Sequence, residues 1–278
     1  GTPLVLIGQQ IGPLKLNILN KLLFRVAFGR ALFVGCRDKE SVALCHTLGL
    51  RQSIVHFTGD EGGYDAPADW CKGRVVLNQL GLRPGFVAVQ IRLDANSPFD
   101  TWMAWWAEVV NRVSQLLDVP VLLVPMAYRG AHDDRHALNQ LRGLLSCHSM
   151  MLECEDPALT KAILAHASVA LGVANHFVVF SASVGVPCLG IYATDYMRQK
   201  LEGAQRCFPH VTAQRVGLSD PEQIAELAVR MARSPADCES SVSFDPKLPD
   251  GYWVWLDRLA ERGIVAQRNP FQSVQETP

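Results

Sequence analysis

His176 stands in VANHFVVFSASVGVP, residues 173–187, between an asparagine and a run of large apolar side chains. A lone titratable ring there is a candidate proton donor or anion ligand, and the competing reading is a core histidine with one satisfied hydrogen bond. Arg37, Arg92, Arg198 and Lys200 each follow an apolar run of strand length. Singly, each reads as a solvated charge. Grouped with His176, they make a cationic site for a small dianion or trianion, because guanidinium pairs bidentately with carboxylate or phosphate and ammonium serves as a compact point charge. Three other stretches carry less. HDDRH at 132–136 sets His132 and His136 four residues apart, but it lacks a third ligand and the glutamate geometry of zinc hydrolases, so Asp133 or Asp134 opening a helix is the better reading and no metal is expected. The tryptophans of WMAWW, 102–106, are able to stack a sugar or base, yet Trp102, Trp106, Val109 and Val113 follow helical spacing and read as a buried face. GQQIGPL, 8–14, places a glycine pair at a strand end, with neither the G-K-[ST] of a P-loop nor G-x-G-x-x-G.

The elements that must hold these residues alternate. Residues 4–8, 31–36 and 53–57 read as strands, and 15–29 (amphipathic) and 39–48 as helices. Residues 59–85 are rich in Gly, Asp and Pro and place a domain boundary near 84. Strands are then expected at 86–91, 120–125, 150–153, 169–173 and 186–192, with helices at 99–117, 133–146, 157–167, 176–184, 195–206, 220–233 and 251–262. Continuous apolar strands in repeated βα units imply a parallel sheet covered on both faces. Asn175 is the expected N-cap of the helix that carries His176, which puts the histidine at a strand-to-helix turn. In open α/β sheets ligands bind at that edge, and the helix start favours an anion.

A chain of 278 residues, 49% hydrophobic and 19% charged, suffices for one large or two medium domains, and a formal net charge of −1 argues against a general nucleic-acid binder. Eight scattered cysteines without C-x-x-C read as reduced core residues of a cytosolic protein. No apolar run is long enough for an integral membrane segment, and no signal peptide is recognisable. The first residue is glycine within a strand-like run, so the sequence reads as a fragment.

GQQIGPL, CRDKES (36–41), VAVQIR (87–92) and the histidine helix followed by G-V-P together resemble, in that order, the polysaccharide pyruvyl transferase family over roughly residues 4–206. By that resemblance Arg37, Asp38 and Ser41 match the family's arginine–aspartate–serine motif, His176 its histidine, and Tyr192, Tyr196 and Lys200 the tyrosine and lysine that follow. Family members often carry arginine where this chain has Ala174, and Lys200 lies a few residues beyond the commonest spacing. The resemblance implies an α/β fold of two Rossmann-like domains of GT-B type, with the active site in the cleft between them. The expected parts are residues 1–84, the latter portion of an N-terminal, acceptor-side domain; 85–235, a C-terminal domain with the histidine helix; and 236–278, a helix and a disordered polar tail. The implied activity is transfer of a pyruvyl group from phosphoenolpyruvate to two sugar hydroxyls, forming a ketal in exopolysaccharide synthesis, with His176 catalytic and Arg37, Asp38, Ser41, Arg92, Asn175, Tyr192, Tyr196, Arg198 and Lys200 binding substrates. No cofactor is called for beyond phosphoenolpyruvate as donor substrate. The acceptor is a saccharide, free or lipid-linked, reached in the cytoplasm or at the inner face of the membrane. Two alternatives stand beside this reading: a nucleotide-sugar glycosyltransferase of the same fold, whose ribose-binding pair of glutamates is not evident, and a non-catalytic glycan-binding relative marked by Ala174.

Overall fold

The computed structural model describes residues 3–12, 17–65, 67, 69–92, 99–130, 133–215, 220–234 and 251–264. Residues 13–16, His132 and the polar tail lie outside the described residues. The chain divides into two compact units, Gly1–Glu61 with Lys247–Pro278, and Gly62–Pro246.

Unit 1 contains strands β1 (Val5–Gln9), β2 (Phe33–Cys36) and β3 (Val55–Phe57), with helices α1 (Ile18–Phe28) and α2 (Lys39–Thr47) between them. The strands form a parallel sheet in the order β1-β2-β3. The central strand is buried along its length, and Val34 and Cys36 pack with Phe24, Cys45, Leu48 and Val55. Helix α1 begins at an Asn17 cap and buries Phe24, while Ile18, Leu19, Leu22, Leu23 and Val26 are exposed. The apolar stripe of α1 is therefore present, but it is not the stripe that meets this core.

Unit 2 runs α3 (Trp70–Gln79), β4 (Phe86–Gln90), α4 (Phe99–Leu117), β5 (Val121–Leu123), α5 (Asp134–Leu144), β6 (Ser149–Met151), α6 (Pro157–Leu164), β7 (Ala167–Gly172), α7 (Asn175–Ser183), β8 (Cys188–Tyr192), α8 (Asp195–Cys207), β9 (Val211–Arg215) and α9 (Pro221–Arg233). Its six strands are parallel and ordered β6-β5-β4-β7-β8-β9. The two faces of β4 show why its sequence is apolar throughout. Val87 and Val89 pack with Trp106, Val109 and Val113 of α4, whereas Phe86 and Ala88 pack with Leu77, Ile163 and Phe177 on the other side. Trp106 is 1% exposed, so the tryptophan stretch is a core face, as its helical spacing indicates. The chain then returns to unit 1 as α10 (Val254–Ala260), which packs on β2.

Three expectations change. The division falls at 61/62, not near 84, because residues 70–79 form a helix that belongs to unit 2. Its Gly73 resembles a helix breaker in sequence, but it is a packing residue: a Cβ there would sit 2.4 Å from the Ala162 carbonyl oxygen, so only glycine lets α3 close onto α6. Strand β9 is also unanticipated, since VTAQR offers a single strongly apolar side chain and owes its pairing with β8 to the neighbouring strand. Finally, Ala174 and not Asn175 occupies the N-cap of α7.

Candidate active site

In unit 2 the strand order reverses between β4 and β7, the topological switch point at which open α/β sheets leave a crevice for ligands. Gln90, Gly172 and Gly190 pair in one row across β4, β7 and β8. Two residues further along each strand come Arg92, Ala174 and Tyr192, so parallel pairing brings Arg92 and the His176 turn to the same carboxyl edge. Neighbouring strands there are about 4.8 Å apart.

Asp134 organises this edge from beneath. Its carboxylate is fully buried and accepts from Arg92 Nε at 2.8 Å, Arg92 Nη2 at 3.4 Å, Gln90 Nε2 at 2.8 Å, and the Met126 and Ala127 backbone N–H groups at 2.9 and 3.2 Å. Asp134 takes one edge of the Arg92 fork, leaving Nη1 and the second Nη2 proton on a side chain 34% exposed. Gln90 in turn accepts from Ala174 N–H at 2.8 Å and Val173 N–H at 3.2 Å. A buried strand glutamine thus anchors the two residues that lead into α7, and the N-cap position itself has no side-chain acceptor.

His176 is exposed, which rules out the core-histidine reading. Its ring lies 6.2 Å from that of Phe180, one turn on, and the buried Lys161 ammonium lies 5.1 Å from the other end of that contact, over the Phe180 ring. Lys161 donates to the Asp65 carbonyl at 2.5 Å. Asn175 opens α7 as its first residue. On α8, Lys200 packs over the exposed Tyr196 ring at 4.0 Å, while Arg198 pairs with Asp195 at 3.3 Å and Glu202 at 3.0 Å. Arg198 is therefore engaged along its own helix. Tyr192 is half-buried at the end of β8.

Unit 1 gathers a second, smaller set at the carboxyl edge of β2. Arg37 pairs with Asp60 at 3.3 Å and donates to Gln10 Oε1, and its Nε is buried without a partner among the described residues. Asp38 and Ser41, 3% and 1% exposed, hold the turn from inside. Asp38 caps α2 by accepting from Ser41 N–H at 2.6 Å, and Ser41 Oγ accepts from Ile11 N–H at 2.9 Å. The Asp38 carboxylate thus caps α2 and the Ser41 hydroxyl holds the glycine turn, both from buried positions. Cys36, immediately before, hydrogen-bonds Cys45 with sulfurs 3.8 Å apart; that bond and burial raise its pKa, so it remains a thiol and not a nucleophile.

A groove of about 940 Å³ lies elsewhere, beside Arg83, Pro120 and His148, which precede β4, β5 and β6. That is the amino edge of the sheet. Of the two arginines lining it, Arg112 is paired with Glu222 at 2.7 Å, and none of the chemistry-bearing residues above borders it. The switch-point edge is preferred because fixed charge and a helix start converge there. Among the described residues no group of three or more His, Cys, Asp or Glu side chains is arranged to hold a metal ion, and no helix is long and apolar enough to cross a membrane.

Gln90 and Asp134 were not apparent as site residues from sequence, although a glutamine inside FVAVQI is a signal: a buried amide must find partners. Asp134 reads only as a helix start, Gln10 lies within GQQIGPL without standing out, and Asp60 and Lys161 belong to no motif.

Comparison with known proteins bears on both units. A family model described as polysaccharide pyruvyl transferase matches residues 1–195. No curated protein sequence matches the chain. Among solved structures, the UDP-GlcNAc 2-epimerase of Methanocaldococcus jannaschii, in complex with UDP-GlcNAc and UDP, superposes with a TM-score of 0.54 at 8% identity, covering 84% of this chain and 62% of that one. HepE of Anabaena, in complex with UDP and glucose, gives 0.50 at 16% identity, with 94% and 69% covered. MnaA of S. aureus with UDP gives 0.51 at 11% identity, with 86% and 62% covered. At such identities the likeness is one of fold, two Rossmann-like α/β units of GT-B type, and this chain spans about three fifths to seven tenths of the length of these proteins.

Proposed function

Since the chain belongs to the polysaccharide pyruvyl transferase family, we propose that it transfers a pyruvyl group from phosphoenolpyruvate to two hydroxyls of a saccharide, free or lipid-linked, in the cytoplasm or at the inner face of the membrane. The observation that carries this reading is the convergence, at the switch point of the six-stranded sheet, of an arginine fixed by a buried carboxylate, a helix start and an exposed histidine.

Phosphoenolpyruvate is a carboxylate and a phosphate joined by an enol. The outward N–H groups of Arg92 and the first-turn N–H groups of α7 suit those anions, with Lys200 and Tyr196 as further contacts on the donor side. His176, as imidazolium, gives its proton to the enol methylene, which becomes the methyl carbon. The adjacent C2 is then electrophilic, one sugar hydroxyl adds to it, and that hydroxyl's proton returns to the ring. The second hydroxyl attacks C2, the C2–O bond to phosphate breaks, and phosphate leaves with the bonding electrons and the second hydroxyl's proton. The products are a cyclic ketal and inorganic phosphate. On unit 1, Arg37 is the corresponding candidate for an anionic group.

Titration calorimetry comparing phosphoenolpyruvate with UDP- and GDP-sugars tests the donor: heat with the first and none with the others is the expected result, and the reverse refutes it. His176→Gln retains hydrogen bonding without the titrating proton. Turnover should fall by roughly a hundredfold or more, the scale of general acid catalysis, with the melting temperature unchanged. A folded His176→Gln protein with full turnover removes the ring from the mechanism.

A further inference from the structure

We propose that Gln90 and Asp134 are positioning residues of the donor site, linked by their 2.8 Å hydrogen bond into one bracket that sets both the Arg92 fork and the turn carrying His176. This rests on the donor-site reading above for its kinetic consequences. The geometry itself is independent of any substrate.

The bracket has no free orientation. Gln90 is fully buried, and its amide oxygen faces the N–H groups of Val173 and Ala174 while its NH2 faces a carboxylate. A flipped amide would oppose like partners at both ends. Ala174 is the N-cap of α7 and has no capping side chain, so the fixed point of the helix start is supplied from the neighbouring strand. His176 follows two residues later. At the other end, Asp134 is held by two backbone N–H groups of the β5–α5 connection, and its remaining acceptor capacity goes to Gln90 and Arg92. Arg92 and Ala174 therefore cannot move independently: a shift of either is passed through Asp134 and Gln90 to the other. The bracket spans β4, β7 and the connection after β5, the strands on either side of the switch point. The competing assignment is a buried polar cross-link that only stabilises the sheet.

The test uses Gln90→Met and Gln90→Glu in the full chain, followed by hydrogen exchange across 173–180 without substrate, steady-state kinetics with phosphoenolpyruvate and acceptor, and thermal melting. Gln90→Met should exchange faster at the start of α7. Its kcat should fall roughly ten- to a hundredfold, the scale of a displaced catalytic group, while KM for phosphoenolpyruvate changes by less than about threefold. Gln90→Glu should be impaired at about pH 8, where two carboxylates face each other, and regain activity relative to the wild type towards about pH 6, where a protonated glutamate donates to Asp134 as the amide does. Unchanged exchange and kcat in a Gln90→Met protein that merely melts lower would overturn the proposal, as would a Gln90→Glu to wild-type ratio that does not vary with pH. A wild-type chain that fails to use phosphoenolpyruvate would refute the donor reading, and the exchange result would still decide the bracket.

Discussion

Arg37 and Arg92 occupy equivalent places in the two units, each just past the carboxyl end of a central parallel strand and each paired with an aspartate from a later βα connection. Their surroundings differ. Asp134 is 0% exposed and saturated by five hydrogen bonds, two of them from Arg92, whereas Asp60 meets Arg37 through one 3.3 Å contact and Arg37 Nε is buried without a partner among the described residues. In unit 2 the strand order reverses beside the arginine; in unit 1 it progresses β1-β2-β3 without reversal among the described strands. A switch point opens a crevice, and a fully bonded carboxylate beneath it fixes a guanidinium in that crevice without neutralising its outer face. Position after a strand is therefore insufficient to make an arginine a preorganised ligand. The carboxylate behind it decides.

The contrast is most directly broken by removing the carboxylates. Asp134→Ala leaves a partly buried guanidinium, the buried Gln90 amide and two backbone N–H groups without their acceptor, and should cost about 3–5 kcal/mol in denaturant unfolding, the scale for breaking a buried pair. Asp60→Ala removes the charged hydrogen bond to Arg37 and should cost about 1.5–3 kcal/mol. Equal losses would erase the distinction between the two sites. Next in size is Gly172→Ala, whose Cβ would stand 2.3 Å from the Phe177 ring, itself fully buried. Overpacking of about 1–3 kcal/mol is expected, with the disturbance read by hydrogen exchange at the start of α7. An unperturbed exchange pattern would show that this turn is softer than its bracket implies.

The smallest expected effect concerns pH. Among the described residues, each unit holds one histidine whose pKa is lowered mainly by burial: His56 in unit 1 and His210 in unit 2, the latter donating to the Ala182 carbonyl at 2.8 Å. The unfolded chain takes up these protons at about pH 6.5 and the folded chain only at lower pH, so their contribution is complete above about 6.5 and is lost as pH falls below it. The melting advantage of wild type over His210→Gln should shrink by about 2 °C on acidification from pH 8 to pH 5. An advantage that grew in acid would reverse the assigned direction. His56→Gln should do the same for exchange in unit 1 and leave unit 2 unaffected.

The alternation of strands and helices from 86 to 192, the parallel sheet, the exclusion of the tryptophan stretch from the site and the place of His176 at a strand-to-helix turn were all legible in the sequence, because periodicity and apolar run length report local geometry and burial directly. Tertiary contact decided the rest. Gly73 reads as a breaker and is required by a neighbouring helix, so α3 and the boundary at 61/62 were hidden. Asp38 and Ser41 match a motif, and only the fold shows both buried, one capping α2 and the other holding the glycine turn. Gln90, Asp134 and Ala174 are separated by 44 and 84 positions along the chain and meet only because β4 lies between β5 and β7. Residue type could announce a histidine and an arginine able to act on an anion; which donors and acceptors aim them depends on strand order, which no local pattern encodes.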